Sequence, residues 1–283
     1  MKLIAIVITY FPEEKDLIQN ISSYINDVDQ LIIWENTPKD KINYNKEKLL
    51  GINPNKIIFV GNGINVGIGK ALNYAANFAI NHSYTHLITF DQDSFFDSSM
   101  LKKYKNFITE VKDNNIGCYG VNLIFPDGNL DFKSTNNIEY VKYCITSGCI
   151  IPVETFQKGC FFDEQLFIDA VDIEYCFRLK KKYGLQTIVF PSVIMKHAIG
   201  YPIKTIFGFN ASAYSAFRTY YLVRNQIYIL RKYSNFYTFK EKFGIINNYI
   251  LKRLFILIFY ETDKFSKLKA LIKGCKDGLL KLK

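Results

Sequence analysis

Histidine is scarce in this chain, with three residues in 283, at positions 82, 86 and 197. His82 and His86 are four apart, yet no Glu sits beside His82, so the H-E-x-x-H zinc-protease pattern is absent. The pair is expected at a helix-to-strand junction. The six cysteines, at 118, 144, 149, 160, 176 and 275, form no C-x-x-C pair. A chain of this length needs no disulfide staples, so reduced, buried thiols and a cytoplasmic setting are expected. No continuous apolar run approaches the roughly 20 residues that span a bilayer; the longest, 254–260, is far too short. The opening MKLIAIVITYF is apolar, but no small-residue cleavage site follows it and Pro12, Glu13 and Glu14 come at once. A buried first strand is expected there, not a signal peptide.

Two nucleotide motifs are missing as well. Gly61, Gly63, Gly67 and Gly69 do not fit the G-x-G-x-x-G dinucleotide spacing. A P-loop needs Gly five residues before the Gly69-Lys70 pair and Ser or Thr after it, where Ile64 and Ala71 stand. What remains is a tight glycine loop that feeds a helix N-terminus, and such a terminus can receive a ligand's polar groups.

Hydrophobic residues make up 49% of the chain and charged residues 22%, the balance of a globular core. The net charge of +10 is uneven: residues 231–283 hold 13 Lys or Arg against 4 Asp or Glu, a net of +9, which leaves +1 for residues 1–230. A neutral body therefore carries a basic tail, and a basic tail seeks an anionic partner.

Apolar β-branched runs predict strands at 3–9, 30–34, 56–60 and 86–90, and helical spacing predicts helices at 15–25 and 70–81. This alternation implies a mostly parallel sheet with right-handed crossovers. Ligands of such sheets bind at the carboxyl ends of the strands. Thr9-Tyr10, Glu35-Asn36, the glycine loop and Asp91-Gln92-Asp93 all fall there. Further strands are expected at 117–125, at 140–152 with Ser147-Gly148 inside, and at 186–190, where Pro191 ends the run. Helices are expected at 172–183 and 211–233, with helical apolar spacing again over 245–259.

The stretch LITFDQDSFF runs a strand into two acids. In extended chain, residues i and i+2 point the same way, so Asp91 and Asp93 can reach one divalent ion. Hard cations prefer one or two carboxylates plus substrate phosphates. The competing reading is a solvated turn whose Asp caps the next helix. LFIDAVDIEYCFR sets Asp169, Asp172 and Glu174 around a helix start, where acids suit the dipole, or where one acts as a general base. Arg218 and Arg224 lie on an aromatic helix, either with their stems against the core edge or as a phosphate clamp.

Taken in order, VITYFP, WENTP, NVGIGKALN, FDQDS, SGCIIP, FIDAVDIEYCFR, KHAIG and YYLVRN resemble a family 2 glycosyltransferase. The closest likeness is to bacterial rhamnosyltransferases of polysaccharide and O-antigen assembly, over residues 2–231. The resemblance implies a GT-A fold: an α/β, Rossmann-like, mixed and mostly parallel sheet flanked by helices, with a helical basic tail. The catalytic domain would cover 1–209, split into a nucleotide-binding half at 1–95 and an acceptor half at 96–209, with the tail at 210–283.

The resemblance also implies roles. Thr9, Tyr10 and Glu35 line the nucleotide pocket, although many relatives carry Asp at the position of Glu35. Asn65 and Gly67 lie beside the nucleotide-sugar, with Lys70, Gln92, Ser147, Gly148 and Asp169 as further substrate contacts. Asp91 and Asp93 match the family D-x-D that holds Mg²⁺ or Mn²⁺ on the donor diphosphate. Asp172 matches the catalytic base, where most of the broad family has Glu-Asp and this chain has Val171-Asp172. His197 is a late metal or phosphate contact, and Arg224 touches the diphosphate or the acceptor. The expected activity is metal-dependent, inverting transfer of a sugar to a lipid-linked or growing cell-surface polysaccharide, with rhamnose from dTDP-rhamnose favoured and UDP-sugars open. The basic tail is then expected on the inner face of the cell membrane, with a solvated tail or a contact in a homo-oligomer as the other readings.

Three rival classes are weaker. A nucleic-acid-binding protein explains the tail and the aromatics but leaves the rim acids idle, so no nucleic-acid partner is expected. A catalytically silent scaffold has no turnover to lose on Asp172→Asn. A nucleotidyltransferase would carry a Gly- and Arg-rich loop after its first strand, which VITYFPEEK lacks.

Overall fold

The computed structural model describes residues 1–97, 99–125, 128–197, 202–204, 210–212 and 214–280, with backbone alone at 197, 202–204 and 210–212. The chain folds as two compact units, one made of Met1–Glu164 and Tyr175–Ala198, the other of Gln165–Glu174 and Ile199–Lys283. The second unit thus takes in the segment that carries Asp169 and Asp172, as well as the basic tail.

In the first unit, β1 (Leu3–Thr9) is the sequence's most apolar β-branched run. Leu3 to Val7 have no exposed surface, and burying each large side chain is worth about 1.5–3 kcal/mol. After it come α1 (Glu14–Tyr24), β2 (Gln30–Glu35), α2 (Lys46–Leu50), β3 (Ile57–Val60), α3 (Ile68–Asn81), β4 (His86–Asp91), β5 (Ser94–Phe96) and α4 (Met100–Glu110). Then β6 (Ile116–Ile124), β7 (Glu139–Val141), β8 (Cys149–Pro152) and α5 (Val153–Gln157) follow. Helix α6 (Val171–Tyr183), which belongs to this unit from Tyr175 onward, and strand β9 (Gln186–His197) complete the series. The nine strands form one sheet in the order β3-β2-β1-β4-β8-β6-β9-β5, with β7 on β9. Strands β3, β2, β1 and β4 are parallel, and β8 enters antiparallel between β4 and β6. The sheet is therefore mixed and mostly parallel, with α3 packed on β1 and β4, and α4 on β9.

Two expected strands differ. The run 140–152 is not one strand: β7 stops at Val141 and β8 begins at Cys149. Gly148 breaks it with φ +78°, and a Cβ there would meet Val121 and Met195 at 2.8 and 2.9 Å. Conversely, Pro191 does not end β9. The pairing with β6 shifts register between Val121 and Asn122. Pro191 falls inside that shift, with no partner on β6, so its missing N–H costs no bond of this ladder, and its carbonyl accepts from Asn122 Nδ2 at 2.9 Å.

The second unit contains two short paired strands, β10 (Pro202–Lys204) and β11 (Asn210–Ser212), and then helices. These are α7 (Ala216–Lys232), α8 (Phe239–Ile246), a π-helical turn (Asn247–Leu251), α9 (Lys252–Tyr260) and α10 (Lys264–Leu280). Ser215 caps α7 by accepting from the Arg218 N–H, and Thr238 with Glu241 forms a capping box on α8. Gly274 and Gly278 let α10 lie against the α7 backbone: a Cβ would meet the carbonyls of Tyr220 and Arg224 at 2.8 and 2.5 Å. The ion pair of Arg253 with Glu261, and that of Lys267 with the same carboxylate at 2.9 Å, tie α9 and α10 together through buried groups. Phe239–Tyr260 runs as 22 helical residues, long and apolar enough by length and composition to cross a membrane. The sequence counted only continuous apolar residues and stopped at Lys252 and Arg253, whereas the helix continues through them.

All six cysteines are free, and five are buried, as expected of reduced thiols. His82 stacks on Phe78 with ring centroids 3.9 Å apart, and the His86 ring contacts Thr85 at 3.0 Å. Both are accounted for by the helix-to-strand junction. Burial holds the His86 pKa down at about 4, with a smaller contribution from the terminal amine.

Candidate active site

Parallel pairing sets the strand ends of the first unit side by side. Thr9 pairs with Glu35, and Ile8 with Asp91. Thr9 is fully buried and donates to the Trp34 carbonyl at 3.2 Å. Glu35 is buried too, accepting from the Tyr44 hydroxyl at 2.7 Å and from Lys46 Nζ at 2.6 Å. Tyr10, half exposed, donates its N–H to Gln92 Oε1 at 2.7 Å. Gln92 therefore ties the end of β1 to the acidic turn.

The glycine loop folds onto the end of β2. A Cβ on Gly61, at φ +123°, would lie 2.7 Å from the Glu35 carbonyl, so glycine is required by both space and backbone. Asn36 Oδ1 accepts from Trp34 Nε1 at 3.0 Å and from the Val66 N–H at 3.2 Å. Asn65 Oδ1 accepts from the Gly67 N–H at 3.0 Å, and Gly67, at φ +83°, precedes the first turn of α3. The result is a pocket of about 230 Å³ lined by Trp34, Gly61, Asn62, Val66 and Lys70. Trp34 and Asn36 belong to the WENTP run, but sequence reasoning gave them no role.

Asp91 ends β4, and Gln92 and Asp93 form the turn into β5. All three are half-buried. The Asp91 N–H donates to Ser94 Oγ at 3.1 Å and to Ser147 Oγ at 3.4 Å, and the two buried serine hydroxyls hydrogen-bond each other. The Gly148 N–H donates to the Thr89 carbonyl at 2.7 Å. Ser147 and Gly148 thus buttress the acidic turn from β8's side. Ser94 is the partner that sequence reasoning missed, although it is the last letter of FDQDS. The backbone of His197 pairs with Ser94 across β5 and β9; the side-chain role expected of His197 lies outside the described residues. Asp93 lies in a turn and not in the extended chain expected from the sequence, and what the turn offers Mg²⁺ or Mn²⁺ is the hard oxygen chemistry of its two carboxylates.

The second unit presents a different construction. Phe167, Asp169 and Ala170 all have φ near +64°, a conformation that costs a non-glycine residue about 1–3 kcal/mol unless its surroundings impose it. The surroundings are Arg224 and Asn225 on α7. Asn225 Nδ2 lies 2.9, 2.7 and 2.8 Å from the carbonyls of Leu166, Ile168 and Asp169. Arg224 Nη2 donates to the carbonyls of Gln165 and Leu166 at 2.6 and 3.2 Å, and its Nε donates to Asn225 Oδ1 at 2.8 Å. Arg224 also sits over the Tyr220 and Tyr221 rings. Much of the donor capacity expected for a ligand is therefore spent on this loop. Asn225 is the residue that the sequence reading passed over inside YYLVRN.

The loop delivers two carboxylates. Asp169 Oδ1 accepts from Arg218 at 3.2 Å, while Oδ2 is buried with no hydrogen-bond partner among the described residues. Burial raises the Asp169 pKa above the usual carboxylate range, and Arg218 offsets part of that rise. Asp172 stands half-buried in the first turn of α6, with Oδ1 accepting from the Ile173 N–H at 2.8 Å. Glu174 is fully buried, accepting from the Tyr233 hydroxyl at 2.8 Å and from Lys232 at 3.2 Å. It anchors α6 and has no exposed surface.

No family model matches the chain. Among curated proteins it is 30% identical over 249 residues to the dTDP-rhamnosyl transferase RfbF of Shigella flexneri, covering 81% of this chain and 79% of that one. The chain belongs to the family 2 glycosyltransferases. It is a glycosyltransferase that uses a nucleotide-sugar. Solved GT-A enzymes share its fold. TarS of S. aureus, residues 1–349, superposes with a TM-score of 0.58 at 13% identity, covering 99% of this chain and 81% of that one. GalNAc-T7 with UDP, GalNAc and Mn²⁺ gives 0.58 at 11% identity over 99% of this chain, which spans 56% of that longer one.

Proposed function

We propose that this glycosyltransferase moves rhamnose from dTDP-rhamnose to a sugar hydroxyl of a lipid-linked or growing cell-surface polysaccharide, with inversion and with a divalent metal. The observation that carries the reading is the acidic turn Asp91-Gln92-Asp93 at the carboxyl end of β4, where Asp91 pairs with Ile8, the residue before the Thr9–Glu35 pair. The name of the S. flexneri relative supports the donor.

In this reading the pocket walled by Trp34 and Val66 takes the nucleoside, and Lys70 faces its phosphates. Glu35, held by Tyr44 and Lys46, is fixed for a base or ribose contact. Asp91 and Asp93, with His197 as a further ligand, hold Mg²⁺ or Mn²⁺; once bound, the ion offsets the charge of the departing diphosphate. Asp172 accepts the proton of the acceptor hydroxyl as its oxygen attacks the anomeric carbon. The bond from that carbon to the diphosphate oxygen breaks, and its electron pair leaves with dTDP. One base and one in-line displacement give inversion, so no carboxylate nucleophile is needed. Ser147, Gly148 and Gln92 keep the acidic turn in place. Arg224 acts on the Asp172 loop or directly on the acceptor. The basic tail holds the enzyme at the inner face of the membrane, where lipid-linked acceptors lie.

The test is thermal stability of the purified protein with dTDP, UDP or GDP, each with and without Mn²⁺. A ligand at about 100 times its Kd adds roughly 2.7 kcal/mol. The expected result is a shift with dTDP that needs metal and is lost in the Asp91→Ala/Asp93→Ala double variant. A shift with UDP alone reassigns the donor. No shift with any nucleotide refutes the diphosphate site.

A further inference from the structure

Helix α8 buries none of its residues. Its apolar side chains are instead open to solvent: Phe239 is 86% exposed and Phe243 61%, with Ile246 also exposed. These three follow the i, i+4, i+7 spacing of a single helix edge. Apolar side chains ranged along one edge of the helix call for a surface to lie on.

The π-helical turn Asn247–Leu251 extends that edge. A π turn inserts one residue into the α-helical repeat and so sets back the residues after it by about 100°. Without it, Leu251 and Ile258 would turn away from the Phe239 edge; with it they continue the same line, and both are exposed. Lys240 and Lys252 then flank the line on one side and Lys242 on the other. The inward side of α9 is fixed by Arg253, whose guanidinium reaches both oxygens of buried Glu261 and the Thr219 hydroxyl at 3.1 Å.

We propose that Phe239–Tyr260 lies in the plane of an anionic lipid bilayer, with the Phe239–Phe243–Ile246–Leu251–Ile258 edge buried among the acyl chains and Lys240, Lys242 and Lys252 on the headgroup phosphates. This deepens the proposed siting of the enzyme at a membrane, and it stands or falls apart from the transfer chemistry. Charge selects the occupant. The region from Arg231 onward carries a net +9, and each Lys or Arg near an anionic surface is worth about 1 kcal/mol. A second copy of the same edge would set these lysines against one another. Length alone would let the helix cross the bilayer. However, Lys252 and Arg253 fall near its middle, where each charge costs about 2.5–3.5 kcal/mol. In the plane neither has to cross.

The test is co-sedimentation of the full chain with vesicles of phosphatidylcholine alone or mixed with phosphatidylglycerol. Because α8 buries nothing, Phe239→Glu/Phe243→Glu is expected to keep the wild-type melting point and the metal-dependent dTDP shift. The account predicts wild-type binding to the anionic vesicles only, weakened by salt, released by alkaline carbonate, and reduced on the order of a hundredfold in the phenylalanine variant. Lys240→Gln/Lys242→Gln/Lys252→Gln should lose the preference for anionic lipid. Three results would overturn the proposal: no wild-type binding to anionic vesicles, undiminished binding by the phenylalanine variant, or retention through carbonate. A wild-type dimer in solution that this variant dissociates would overturn it as well, making the edge a contact between copies.

Discussion

The acidic turn of the first unit and the Asp172 loop of the second both present carboxylates, yet they are built in opposite ways. Asp91 arrives at the end of a largely apolar strand whose neighbours fix it through backbone pairing. The side chains that support it, Ser94 and Gln92, are close by in sequence, with Ser147 added from the turn before β8. The Asp172 loop owes little to its own sequence. Three residues at positive φ are held by carbonyl contacts to Arg224 and Asn225, more than fifty positions away. The first site follows from local chemistry and the second from a tertiary clamp. Binding and turnover should therefore respond to different substitutions.

The largest expected effect separates the two directly. Asp172→Asn removes the proposed base and should lower turnover by about 10²–10⁴-fold, while the metal-dependent dTDP shift stays at its wild-type size. Loss of the shift as well would mean that the two regions do not divide the work.

Next comes the clamp. Asn225→Leu takes the amide donor from the Ile168 and Asp169 carbonyls, while that of Leu166 keeps Arg224 Nη2 at 3.2 Å, and each buried polar group left unsatisfied costs about 1–3 kcal/mol. The melting point should fall, and turnover should fall with it, while the nucleotide Kd measured on the folded fraction is unchanged. An Asn225 variant with wild-type turnover would show that the loop keeps its conformation unaided.

The smallest effect concerns Asp169. Its folded-state pKa is raised, so ionising it costs stability as pH climbs through the carboxylate range, and that cost is absent at low pH. Asp169→Asn removes the cost and forfeits only an ion pair with half-exposed Arg218, worth little. The variant should melt above wild type at pH 8 and converge with it near pH 4. A variant that melts lower at pH 8 would show the Arg218 pair to be the stronger influence.

The same contrast explains what the sequence discloses. Strands β1 to β4 are β-branched runs that end in polar clusters, so their order and their common rim are legible without coordinates. The insertion of β8 between β4 and β6 is not, because an antiparallel partner leaves no periodic mark. Gly148 looked like part of a strand when it is the break that creates the Ser147 contact. Pro191 looked like an end because the register shift that absorbs it arises in the pairing with β6 at Asn122, 69 residues earlier. Arg224 drew attention through its charge, while the neutral Asn225 beside it does more to shape the loop. Glu174, which opens α6 beside Asp172, turns out to be wholly buried against Tyr233 and Lys232.

The most direct measurement is dTDP release from dTDP-rhamnose, with water as the acceptor of the rhamnosyl group, in Mn²⁺ and in chelator, by wild type, Asp91→Ala/Asp93→Ala and Asp172→Asn, with dTDP affinity measured beside it. The account predicts release by wild type only in metal, none above background in either variant, and affinity kept by Asp172→Asn alone. Release that persists in chelator, or in the Asp91→Ala/Asp93→Ala variant, would contradict it.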